Sequence, residues 1–191
     1  HAKHPDVAIT QTLAFYKNPN TNVHDSILIK YTLKNISETT QNVGLRILLD
    51  TKLGSNDGAP LFMGENAIKN EIKLNQSDMY DYWQAFDSLS NPTVIAQGLL
   101  KNTEETLTPP DAIHLANWGS LVDHPWNSPY EKGRSFIRSG ENEKDTALAM
   151  YFNPIALPAK TTKSFSTVYG LGGITISAGK LSLGISAPKE L

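Results

Sequence analysis

Apolar and polar residues alternate along most of this chain with the period of two that marks a β-strand. In residues 43–50, Val43, Leu45, Ile47 and Leu49 share one face, and Gly44, Arg46, Leu48 and Asp50 share the other. Residues 26–35 repeat the pattern, with Ile27, Ile29, Tyr31 and Leu33 set against Lys30, Thr32 and Lys34. A short polar loop separates the two, which predicts an antiparallel hairpin over 26–50. Residues 6–16 read as a first strand, followed by a turn cluster rich in asparagine. Residues 51–71 form a long connection. Residues 72–76, 92–100 and 112–118 read as further strands. Residues 77–89 predict a short helix with Ser77 as N-cap, or else an irregular aromatic segment. Residues 119–143 are turn-rich, and a charged tip follows at 141–145. Residues 146–152 are apolar on both faces, the mark of a central strand. Residues 153–160 read as a loop, 163–169 as the last core strand, and 174–186 as β-like. The sum is an all-β chain, a two-sheet antiparallel β-sandwich with long loops and at most one short helix. Residues 1–186 form the single domain, and 187–191 start an interdomain linker.

Composition narrows this further. The chain has 191 residues, enough to bury roughly 70% of its unfolded surface without staples. It has no cysteine, which excludes thiolate zinc sites, iron–sulfur clusters and a cysteine nucleophile. The net charge is -2, and lysines and arginines are scattered, so no nucleic-acid partner is expected. No apolar run approaches the ~20 residues that span a bilayer, so no membrane insertion is expected here. The chain opens His1-Ala2-Lys3-His4-Pro5 without an initiating Met, and reads as a processed or trimmed piece. There is no G-x-S-x-G and no P-loop, and Gly170-Leu171-Gly172-Gly173 opens no helix.

Four runs carry a resemblance: LLDTKLGSNDGAPLF, DYWQAFDSL, HLANWGSLVDHPWN and TVYGLGGITISAGKLSLGISAP. They resemble a β-sandwich module of exported, multidomain bacterial surface proteins, of the galactose mutarotase-like (supersandwich) class. The resemblance brings no catalytic residues with it. It implies an extracellular or cell-surface setting, adjacent domains in the same chain, and a binding or structural role.

Three groups of residues carry candidate chemistry. Asp50, Asn56 and Asp57, with turns at Gly54 and Gly58, offer the oxygen ligands that Ca²⁺ takes. They fit equally a turn whose Asx side chains satisfy their own backbone. Tyr80, Tyr82, Trp83 and Phe86, interspersed with Asp78, Asp81 and Asp87, form an aromatic–acid cluster. Rings stack on sugar faces while carboxylates take the hydroxyls, but the same rings also plug the end of a sandwich. Trp118, Asp123, His124, Trp126 and Asn127 admit the same two readings. A carbohydrate cleft requires both aromatic groups on one edge.

The leading expectation is a non-catalytic extracellular module for adhesion, carbohydrate or protein binding, or spacing. The rival is a sugar-active enzyme on a mutarotase-like sandwich, using His114 or His124 with Asp123 or Asp87. His114 has the opposite parity to Ile113 and Leu115, so it is expected to face outward. An enzyme requires a His and a carboxylate within about 4–6 Å in an open cleft.

Overall fold

The computed structural model describes residues 5–18, 22–101 and 107–172. The β-like stretch 174–186 and the linker at 187–191 lie outside them. The strands are β1 (Val7–Tyr16), β2 (Ser26–Asn35), β3 (Gln41–Asp50), β4 (Leu61–Met63), β5 (Asn66–Ile68), β6 (Ile72–Asn75), β7 (Tyr82–Phe86), β8 (Ile95–Leu99), β9 (Ala112–Asn117), β10 (Thr146–Leu157) and β11 (Thr162–Leu171). One helix, α1 (Trp118–Val122), follows β9.

Two antiparallel sheets face each other. One has seven strands in the order β1-β2-β11-β8-β7-β4-β5, and the other has four in the order β3-β10-β9-β6. The core between them takes Leu33, Val43, Ile47, Leu61, Trp83, Ile113, Leu115, Leu148, Met150, Phe152 and Phe165. The all-β sandwich is therefore the observed architecture, and β10 is a central strand as its two apolar faces predict. No helix among the described residues is long and apolar enough to cross a membrane.

Three local expectations are corrected. The strands of 26–50 do not form a hairpin: β2 lies in the seven-stranded sheet and β3 in the four-stranded one. Each has one apolar face, and stacking the faces buries both at once, with Leu33 and Ile47 in one core. Asn35 holds the crossing point. It is fully buried, its amide donates to the carbonyls of Thr39 at 2.7 Å and Leu157 at 2.9 Å, and its Oδ1 accepts from Ser37 N at 3.0 Å. Second, 77–89 is not helical. A single 3-10 turn at Gln76–Asp78 leads into β7, whose Trp83 and Ala85 point into the core. The period-two requirement of a strand buried between β4 and β8 prevails over the N-cap signal. Third, two expected loops contain strand: β10 runs on to Leu157, with a shift of register against β3 between Phe152 and Ile155, and β4 and β5 lie within 51–71.

Candidate functional site

The chemistry of this chain gathers on the outer face of the four-stranded sheet. In β9, Ile113 and Leu115 point into the sandwich, while His114 and Ala116 point away from it. In β10, Ala147, Ala149 and Tyr151 point the same outward way. Small residues there leave room for a further layer, and residues 118–145 fill it. Leu121 of α1 is buried against Ala116, Ala147, Ala149 and Tyr151. The sheet is thus covered on both faces.

Polar side chains fasten this layer. Asn117 caps α1 by accepting from Ser120 N at 3.0 Å, and its amide donates to Phe136 O at 3.1 Å and Glu141 Oε2 at 2.8 Å. Arg46 of β3 donates to Pro125 O at 3.0 Å and Leu121 O at 2.9 Å, with its guanidinium over the Tyr151 ring. Trp126 meets Tyr151 edge to face, with ring centroids 5.9 Å apart. Gly44 makes the space for it, since a Cβ there would stand 2.8 Å from the indole. Arg138 pairs with Asp123 at 2.7 Å and Glu141 at 3.2 Å. Glu141, at the start of the charged tip, is a partner to both Asn117 and Arg138.

The most concentrated chemistry is the triad Glu71, His114 and Arg134. β6 pairs with β9 in a register that sets Lys73 opposite His114, so Glu71, just ahead of β6, reaches the imidazole. His114 Nε2 lies 2.6 Å from Glu71 Oε1, with the two side chains 0% and 1% exposed. Arg134 donates from Nη2 to Oε1 at 2.9 Å and from Nε to Oε2. Both carboxylate oxygens are therefore taken. Burial holds the His114 pKa below its ordinary 6.5, outweighing the hydrogen bond and charge of Glu71, and the charges of Lys73 and Arg134 push it the same way. The ring is neutral at pH 7. Because a carboxylate only accepts, the ring proton sits on Nε2. Tyr130 closes the site with its ring edge-to-face on His114 at 5.9 Å. The parity of His114 is as expected, but its exposure is not: the outward face is itself covered.

Sequence reasoning singled out neither Glu71 nor Arg134. One signal was present in composition. The chain has three arginines, Arg46, Arg134 and Arg138, and all three hold this layer. Arginine is the residue suited to bidentate carboxylate and carbonyl contacts in buried settings.

The other candidates are spread out. Trp83 is fully buried in the core and stacks on Tyr169, with centroids 5.7 Å apart. Tyr82 alternates with it on β7. Tyr80 is exposed, and its hydroxyl accepts from Asn66 Nδ2 at 2.9 Å. Asp87 binds the turn after β7, accepting from Thr93 N at 3.0 Å and from the Thr93 hydroxyl, contacts that hold its pKa below the usual carboxylate value. Trp118, Asp123, His124 and Trp126 lie instead in the 118–145 layer, with His124 and Asp123 exposed. The two aromatic groups thus occupy different layers.

Asp50, Asn56 and Asp57 each have separate work. Asp50 Oδ1 accepts from Lys52 N at 3.1 Å, Asn56 Nδ2 donates to Asp87 O at 2.8 Å, and Asp57 pairs with Lys52 Nζ at 2.7 Å. Among the described residues, no group of three or more His, Asp or Glu side chains is placed to hold a metal ion.

No family model matches the chain. No curated protein matches it either. Among solved structures it is similar to a galactose mutarotase related enzyme from Lactobacillus acidophilus, at 9% identity and a TM-score of 0.32, over 96% of this chain and 72% of that one. A TM-score at that level equates no individual residues, and neither a site nor an activity is transferred.

Proposed function

We propose that this chain is a non-catalytic β-sandwich module of a larger exported bacterial protein, acting at the cell surface in adhesion or partner binding, or as a spacer between domains. The observation that carries the reading is the state of its His–carboxylate pair. His114 and Glu71 stand 2.6 Å apart, close enough for acid–base work, but both are buried and Arg134 occupies the carboxylate. A catalytic pair needs an open cleft on one side. The exported setting rests on the resemblance of the runs 48–62, 81–89, 114–127 and 167–188 to modules of bacterial surface proteins. A protein ligand is favoured over a sugar, because the candidate aromatic and acidic groups are divided between two layers and Tyr80 alone of these candidate rings is exposed.

Two experiments test this. Interconversion of galactose and glucose anomers, followed by NMR, is expected to proceed at the uncatalysed rate with the protein present. An acceleration lost in His114→Gln would overturn the reading in favour of a sugar-active enzyme. Antibody against the chain is expected to label intact cells of the source organism. Labelling only after permeabilisation would remove the surface setting.

A further inference from the structure

β1 is an edge strand that pairs with β2 alone among the described strands. Its Ile9, Leu13 and Phe15 are 63, 61 and 79% exposed. Their register partners are Leu33, Ile29 and Ile27, so they lie on the face that elsewhere carries the core. Four strands do not cover seven, and this row overhangs. The ten residues of β1 contain no charge, proline or glycine. Their register with β2 runs from Val7 to Tyr16 without a shift. Exposed edges are ordinarily guarded by lysine, proline or a bulge, and this one has none.

The ladder fixes which backbone groups face outward. Ile36 N donates to Asp6 O at 2.8 Å, so the even-numbered residues of β1 bond to β2. The N–H and C=O groups of Val7, Ile9, Gln11, Leu13 and Phe15 then point away from the sheet. Counted outward from Gln11, the sequence is alike in both directions: Thr10 and Thr12, Ile9 and Leu13, Ala8 and Ala14, Val7 and Phe15.

We infer that β1 binds β1 of a second copy of this chain, antiparallel, about a two-fold axis at Gln11. In that register Ile9 faces the partner's Leu13, Val7 faces the partner's Phe15, and outward N–H groups meet outward carbonyls. A two-fold axis normal to the sheet keeps the apolar rows of both copies side by side on one face. No like charges oppose each other, because the strand carries none.

Sedimentation of the 191-residue chain over a concentration series is expected to show a monomer–dimer equilibrium. Gln11→Lys and Gln11→Glu each set like charges opposite one another at the axis, and each is expected to weaken the dimer about fivefold or more. Mixing the two variants in equal amounts is expected to restore it. Gln11 is exposed and its side chain donates to Tyr31 Oη at 2.6 Å, so thermal unfolding of the monomer serves as the folding control. A wild-type chain that stays monomeric overturns the inference. So does a dimer indifferent to both variants. Exchange protection of the Ile9, Gln11 and Leu13 amides in a dilute monomer also overturns it, because the edge is then covered by the chain itself.

Discussion

Arg134 and Glu71 are joined twice. The guanidinium holds both carboxylate oxygens, and Glu71 N donates to Arg134 O at 2.8 Å. Side chain and main chain together fasten the 118–145 layer to the start of β6. Removing the guanidinium leaves a carboxylate buried with only a neutral imidazole beside it.

Arg134→Ala is therefore expected to cost about 3 kcal/mol, the lower part of the range for breaking a buried pair, because Arg134 is itself one-third exposed. Arg134→Lys recovers only part of this, since an ammonium does not bridge both oxygens in the same plane. Urea unfolding measures both. A loss below about 1 kcal/mol for the alanine variant contradicts the fastening role.

His114 makes stability depend on pH with a definite sign. Its folded pKa is lowered by burial, while the unfolded chain titrates near 6.5. Unfolding then takes up a proton at mildly acidic pH. The contribution of His114 is complete above pH 6.5 and is lost as pH falls toward the folded pKa, with a slope of at most about 1.4 kcal/mol per pH unit. Urea midpoints between pH 7.5 and 5 are expected to fall for the wild type and to fall less for His114→Gln. Equal slopes would contradict the assignment.

Gly98 and Trp83 are register partners, and the indole lies flat across the glycine toward Tyr169. A Cβ at Gly98 would stand 2.1 Å from the indole nitrogen. Gly98→Ala is expected to destabilise by about 1–3 kcal/mol through forced displacement of a fully buried ring. Near-UV circular dichroism and the unfolding midpoint report it. An unchanged spectrum and midpoint would contradict the close approach.

Lys52 Nζ pairs with Asp57 at 2.7 Å, and the Lys52 pKa is raised by that hydrogen bond first and by the Asp57 charge next. Titration calorimetry with Ca²⁺ is expected to give no saturable heat. A saturable heat abolished by Asp57→Ala would establish a site at Asp50, Asn56 and Asp57.

The strands were legible where one face meets core and the other meets solvent. Ser26–Asn35 follows from alternation, because burial on one side writes itself into every second residue, and the first half of β10 follows from an apolar run that is buried on both faces. Which sheet a strand joins is not written there: β2 and β3 look like a hairpin, and only the stacking of their apolar faces separates them. The site was harder to see. His114 was visible as an outward residue, but its partners come from 43 residues before it and 20 after it in the chain, joined by sheet register and by a loop without periodicity. Neither the N-cap role of Asn117 nor the bidentate contact of Arg134 is marked by periodicity or by a motif.

The most direct measurement is the titration of the His114 ring by nitrogen-15 NMR in the folded chain. A neutral ring protonated on Nε2 at pH 7 is expected, with no ionisation near 6.5 and slow exchange of its N–H with water. A ring that titrates near 6.5 and exchanges freely would mean an open His114–Glu71 pair, and would contradict the sealed, non-catalytic reading.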